Sequence, residues 1–152
     1  MRKAVADLPA PASPAAYFEG WGRTHCCVPD NILLIARRNA ADLQRRSAES
    51  HLHRRFLLCV CLETTGTVMV DGVPFVLEPG HAMLVFPQSY HHFSQVAQRS
   101  LLWLMVTVET AEPERLAVLR QRTMSLEDRD LHYLSELVSR FSGGDRRGRG
   151  DA

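Results

Sequence analysis

HLHRRFLLCVCLETTGTVMVDGVPFVLEPGHAMLVFPQSYHHF, residues 51–93, is the stretch whose reading decides the fold. Two histidine clusters, His51-Leu52-His53 and Tyr90-His91-His92-Phe93, bracket short apolar runs that each end on a turn signal. Phe56–Leu62 runs into Thr64-Thr65-Gly66, Val68–Val70 into Asp71-Gly72, Phe75–Leu77 into Glu78-Pro79-Gly80, and Ala82–Phe86 into Pro87. Strands this short, joined by tight Gly-containing turns, predict an antiparallel sandwich or small barrel. The histidines fall where the first of these strands enters and the last leaves, so folding can bring them together.

Working outward, Asn31–Arg37 contains Ile32-Leu33-Leu34-Ile35 and predicts a first strand. Asn39–Ser50 is polar, with Arg45-Arg46, and predicts a loop or bent edge strand. Phe56–Leu62 and Leu101–Val108 are apolar at nearly every position, as expected of central strands covered on both faces. Val68 and Val70 alternate more cleanly and suggest a strand nearer an edge, while Ser94–Ser100 reads as a hairpin loop. After Glu109 the period changes. Pro113, Leu116 and Leu119 fit a helix reaching about Arg122. Ser125 then offers an N-cap, and Leu131, Leu134, Leu137, Val138 and Phe141 line one face of a second helix that Gly143-Gly144 stops. That face either packs back on the sandwich or is shared with a partner chain. The resulting division is an arm at 1–24, rich in alanine and carrying Pro9, Pro11 and Pro14, a barrel at 25–110, helices at 111–142 and a Gly/Arg/Asp-rich tail at 143–152.

Composition narrows the function classes. A chain of 152 residues with 45% hydrophobic and 23% charged residues is an ordinary single globular domain. Its net charge of +1 gives no overall nucleic-acid or membrane footprint. No apolar stretch approaches the roughly 18–20 residues of a transmembrane helix, and Met1-Arg2-Lys3 leads into Ala/Pro-rich sequence rather than a signal core. The expected compartment is cytoplasmic. Cys26-Cys27 and Cys59/Cys61 lack zinc-finger or CxxC spacing and read as free thiols acting as small hydrophobes.

The candidate site is built from histidines. Residues two apart on a strand point the same way, so His51 and His53 can face one cavity. Of the adjacent pair His91 and His92 only one can join them, and His92 is taken as the inward member. Three imidazoles, His51, His53 and His92, would suit a transition metal. The order His-x-His, Gly turn, Pro-Gly, then Pro and His resembles a cupin. The glutamate that metal-binding cupins place three or four residues after His-x-His is here Leu57 or Leu58, and no asparagine follows the second motif, where Val96 stands. A metal-dependent single-domain cupin enzyme, a dioxygenase or isomerase, is therefore the alternative reading.

A closer resemblance runs through His53-Arg54-Arg55-Phe56-Leu57-Leu58, Gly66–Gly72, Leu77-Glu78-Pro79-Gly80, Leu84-Val85-Phe86-Pro87, His91-His92-Phe93 and Trp103–Val108. Over about residues 30–141 the chain resembles the N-terminal sensor and dimerisation domain of AraC-type transcription regulators. The resemblance implies a mainly β, cupin-like double-stranded β-helix (jelly roll) followed by two C-terminal α-helices. It implies a small-molecule effector inside the barrel, no cofactor, no catalysis, and a homodimer formed through the helices. The implied ligand-binding residues are His51, His53, His92, Phe93, Trp103 and Met105. A sugar-responsive member of the family carries a tyrosine just after the histidine doublet; Phe93 stands there in this chain, which favours a less polar ligand. The family's DNA contacts come from a C-terminal helix-turn-helix domain, which the chain, ending at Ala152, is expected to lack, so specific DNA binding is expected only through that missing part.

Overall fold

The computed structural model describes residues 2–8, 30–44, 54–96 and 100–144. Among the described residues eight strands run β1 (Asp30–Asn39), β2 (Phe56–Glu63), β3 (Gly66–Val70), β4 (Val73–Leu77), β5 (His81–Val85), β6 (His91–Ser94), β7 (Ser100–Glu109) and β8 (Thr123–Ser125). They form two antiparallel sheets, a larger one ordered β1-β7-β2-β5-β8 and a smaller one ordered β4-β3-β6. Helix α1 (Arg2–Ala6) precedes them, α2 (Ala40–Gln44) follows β1, a 3-10 helix covers Pro113–Leu119, and α3 (Asp128–Gly144) ends the described chain. The architecture is a cupin-like jelly roll.

Turn chemistry sets the strand ends. Asp71 and Gly72 both have positive φ, 51° and 82°, as a type I′ turn between β3 and β4 requires. In Glu78–His81, Pro79 takes the second position, Gly80 the third at φ 90°, and the His81 N–H closes the turn on the Glu78 carbonyl at 2.8 Å. Phe86–Ser89 repeats the device, with Gln88 at φ 63° and the Ser89 N–H donating to Phe86 O at 3.2 Å.

Strands β2 and β7 are central to the larger sheet, and their continuous apolar runs are covered on both faces. Leu57, Cys59, Cys61, Trp103 and Met105 face the interior between the sheets. Val60, Leu62, Leu102, Leu104 and Val106 face outward, where Val138, Leu134 and Leu137 of α3 cover them. The apolar face of α3 therefore packs on its own sandwich.

Several expectations change. Strand β3 lies at the centre of the smaller sheet rather than near an edge. The segment after Ser94 joins different sheets, so it is a crossing and not a hairpin loop; 97–99 lie outside the described residues. The polar stretch after Asn39 begins with α2, which buries Leu43. Only one of the two C-terminal helices is α: the first is 3-10, and β8 follows it, taking Ser125 into the sheet. The α3 start is capped by the Asp130 carboxylate, which accepts from Glu127 N–H at 3.0 Å. The arm reading also gives way at its beginning. Val5 and Leu8 are buried against the outer face of the larger sheet, and the Arg38 guanidinium holds the Ala6 and Leu8 carbonyls. Two apolar side chains in a short stretch suffice for docking once a receiving face exists. Residues 9–29, including Cys26-Cys27, and 145–152 lie outside the described residues.

Candidate functional site

The interior between the sheets is the only place where several of the expected site residues meet among those described. Each inward position follows from strand parity. On β7, Leu101, Trp103 and Met105 face in; across from them on β2 stand Cys61, opposite Trp103, and Cys59, opposite Met105. Cys59 is also opposite Met83 on β5. The smaller sheet contributes Val68, Val70, Leu77 and the half-buried Phe75 and Phe93.

Trp103 anchors this interior. It is fully buried, and its indole N–H donates to the Thr64 carbonyl at 2.9 Å. The indole lies over Gly66, where a Cβ would stand 3.1 Å from its Cζ2 atom. Phe93 meets the same indole edge to face, ring centres 6.1 Å apart at 90°. His91 meets Phe93 in turn at 6.0 Å and 86°, and its Nδ1 lies 3.4 Å from the Ser89 carbonyl. Three rings, His91, Phe93 and Trp103, thus run from the rim into the core in successive perpendicular contacts.

The inward histidine of the doublet is His91, not His92. Val70 pairs with His91 and Val68 with Phe93, which sets His91 and Phe93 on the core side of the smaller sheet. His92 pairs with Met69 on the opposite face, where its ring approaches Tyr90 at 5.9 Å. The signal for this was in the sequence. Neighbouring strand residues alternate faces, so an inward Phe93 requires an outward His92 and an inward His91. His51 and His53 lie outside the described residues. Of the six expected ligand residues, Phe93, Trp103 and Met105 are brought together and His92 is turned away from them.

For the metal alternative, His91 rather than His92 is the member of the doublet that faces the interior, and His51 and His53 lie outside the described residues. Leu57 and Leu58, which stand where a ligand carboxylate would be, both have packing roles, Leu57 inside and Leu58 outside. Among the described residues no three His, Cys, Asp or Glu side chains are grouped to hold a metal ion.

Two features tune the polar chemistry. Cys59 and Cys61 are free and buried. Burial pushes the Cys59 thiol well above its ordinary range, and it pushes Cys61 up to about 12, helped by the Glu78 carboxylate. Both are neutral thiols at physiological pH. At the mouth of β2, Arg55 is buried and donates from Nη2 to the carbonyls of Asn31 and, at 3.2 Å, Thr107. Its Nη1 lies 3.4 Å from Glu109 Oε1. Desolvation lowers its pKa and Glu109 partly restores it. This clamp ties the start of β2 to β1 and β7.

The sequence matches the family described as AraC-like ligand binding domain over residues 32–147. Solved structures similar to this chain include an RmlC-like cupin from Shewanella frigidimarina, 20% identical, covering 60% of this chain and 86% of that one at a TM-score of 0.38. A cupin protein from Bacteroides fragilis is 13% identical, with coverages of 62% and 76% and a TM-score of 0.40. A cupin-2 domain protein from Rhodospirillum rubrum is 17% identical, with coverages of 91% and 88% and a TM-score of 0.37. No curated protein matches the chain significantly.

Proposed function

The chain belongs to the family of AraC-like ligand-binding domains, and we propose that it is the effector-sensing and dimerisation module of a transcription regulator, not an enzyme. The observation that carries this reading is the continuous family match over residues 32–147, which spans the barrel interior and the helix α3 docked on its outer wall. A small organic ligand enters between the sheets and is held by the ring series His91, Phe93 and Trp103 with Met105 beside it. Beyond the His91 imidazole, an indole, a phenyl ring and a thioether offer dispersion contacts and only a weak acceptor, so the preferred ligand carries an aromatic or aliphatic body rather than the many hydroxyls of a bare sugar. Occupancy biases one arrangement of the wall against another, and α3, which rests on the outward residues of the same strands, passes that bias to the dimer. DNA would be contacted by a helix-turn-helix domain that the resemblance places after this one. The cytoplasm is the proposed compartment, where buried free thiols stay reduced. Among the described residues no helix is long and apolar enough to cross a membrane.

Thermal unfolding of the metal-free protein against a panel of aromatic acids, phenols, short-chain acids and monosaccharides tests the reading. A ligand at a hundred times its Kd stabilises the folded state by ~2.7 kcal/mol. The expected outcome is such a shift for an aromatic or aliphatic compound, accompanied by a change in tryptophan emission, and its loss in Phe93→Ala. A ligand whose effect survives both Phe93→Ala and Met105→Ala, or a preference for monosaccharides, would overturn it.

A further inference from the structure

The interior holds a row of three sulfurs, of which the effector reading uses only that of Met105. Cys59 on β2 stands directly opposite Met105 on β7 and directly opposite Met83 on β5. All three are buried and belong to the same inward-facing cluster. Directly opposed residues on neighbouring strands have Cβ atoms roughly 4.5–5.5 Å apart. A methionine sulfur sits beyond its Cβ on freely rotating bonds, so both thioethers can swing towards the thiol between them.

From this row we propose that Met83, Cys59 and Met105 form a three-sulfur site for a monovalent soft metal ion, Cu(I). Softness selects the metal: one thiolate and two thioethers are ligands that favour Cu(I) over oxygen-seeking ions. Charge selects the oxidation state. Cu(I) with the Cys59 thiolate is neutral and suits an apolar interior. A divalent ion on the same ligands would leave an unpaired positive charge there, which burial penalises heavily. Binding exchanges the Cys59 thiol proton, released to solvent, for a Cu–S bond, and no electron is transferred. Because burial holds that thiol protonated, affinity rises with pH over the physiological range. Cys61 is not part of the row; its Sγ lies 3.3 Å from the Thr64 carbonyl and it stands opposite Trp103. The site shares the barrel interior with the effector reading but does not depend on it, since that reading is tested on metal-free protein.

The experiment is anaerobic competition for Cu(I) against the chromophoric chelator bicinchoninate. It uses the full chain with Cys26→Ser and Cys27→Ser, which removes the adjacent thiol pair as a rival. The expected result is one Cu(I) withdrawn per chain, with a copper X-ray absorption spectrum fitted by sulfur neighbours alone. Binding should vanish in Cys59→Ser and weaken several-fold in each of Met83→Leu and Met105→Leu, whose volumes are conserved so that the fold persists. Cys61→Ser should bind as the parent does, and circular dichroism checks each variant's fold. Failure to compete, nitrogen neighbours in the spectrum, or undiminished binding in the two leucine variants would each overturn the site.

Discussion

At the scale of single residues, the indole of Trp103 fixes its surroundings more than any other side chain. It has no room to retreat, being fully buried and tied to the Thr64 carbonyl. Gly66→Ala, whose added methyl would press on Cζ2, is therefore expected to cost about 1–3 kcal/mol in urea unfolding, with a shift of tryptophan emission in the folded state. A variant as stable as the parent would mean that the indole can move. The buried thiols give a second residue-scale prediction. Cys61 ionises near 9.0 in an unstructured chain and at about 12 in the fold. Below pH 9 both states keep the proton and the full stability is present. Above it the unfolded chain releases the proton while the folded one retains it, so stability falls as pH rises from 9 towards 12. In Cys61→Ala the alkaline loss should be shallower than in the parent when urea midpoints are followed across that window; parallel curves would contradict the assignment. His91 and His92 make the same point about single positions, because one residue of register decides which imidazole faces the core.

At the scale of elements, α3 shows how an amphipathic helix spends its apolar stripe. Leu134, Leu137 and Val138 close the outer face of the larger sheet, and Val138 is wholly buried while Tyr133 is 64% exposed. Val138→Ala should accordingly destabilise the domain by about 2 kcal/mol, and Tyr133→Ala in the monomer by no more than about 0.5 kcal/mol, both read from chemical unfolding. Equal effects would place the docking face elsewhere. Element by element, the strands of 51–93 were legible because Asp71-Gly72, Pro79-Gly80 and Pro87 mark their ends with residues chosen for backbone geometry. The first C-terminal helix was legible at Pro113–Leu119, but its 3-10 character and β8 were not. Three residues, Thr123–Ser125, become a strand only because the edge of β5 is there to receive them. Helix α1 escaped notice for a related reason, since Val5 and Leu8 acquire meaning only against the outer face of the sheet.

At the scale of the whole molecule, the larger sheet is shared between two cores, one facing the smaller sheet and one facing the helices. In the proposed homodimer the apolar face of α3 is already occupied, so the partner would meet its exposed side, around Tyr133. Sedimentation should give a dimer for the parent and a monomer for Tyr133→Glu with unchanged circular dichroism. A monomeric parent at every accessible concentration would remove dimerisation from the proposal. The sequence by itself determined the fold class and the central place of β2 and β7, because turn residues and unbroken apolar runs act locally. It also determined that Phe93, Trp103 and Met105 are core-facing candidates. Only the tertiary structure decided that α3 docks on its own barrel. It alone set Met83, Cys59 and Met105 side by side. Those outcomes depend on strand register and on which surfaces meet, and residues far apart in the chain settle both together.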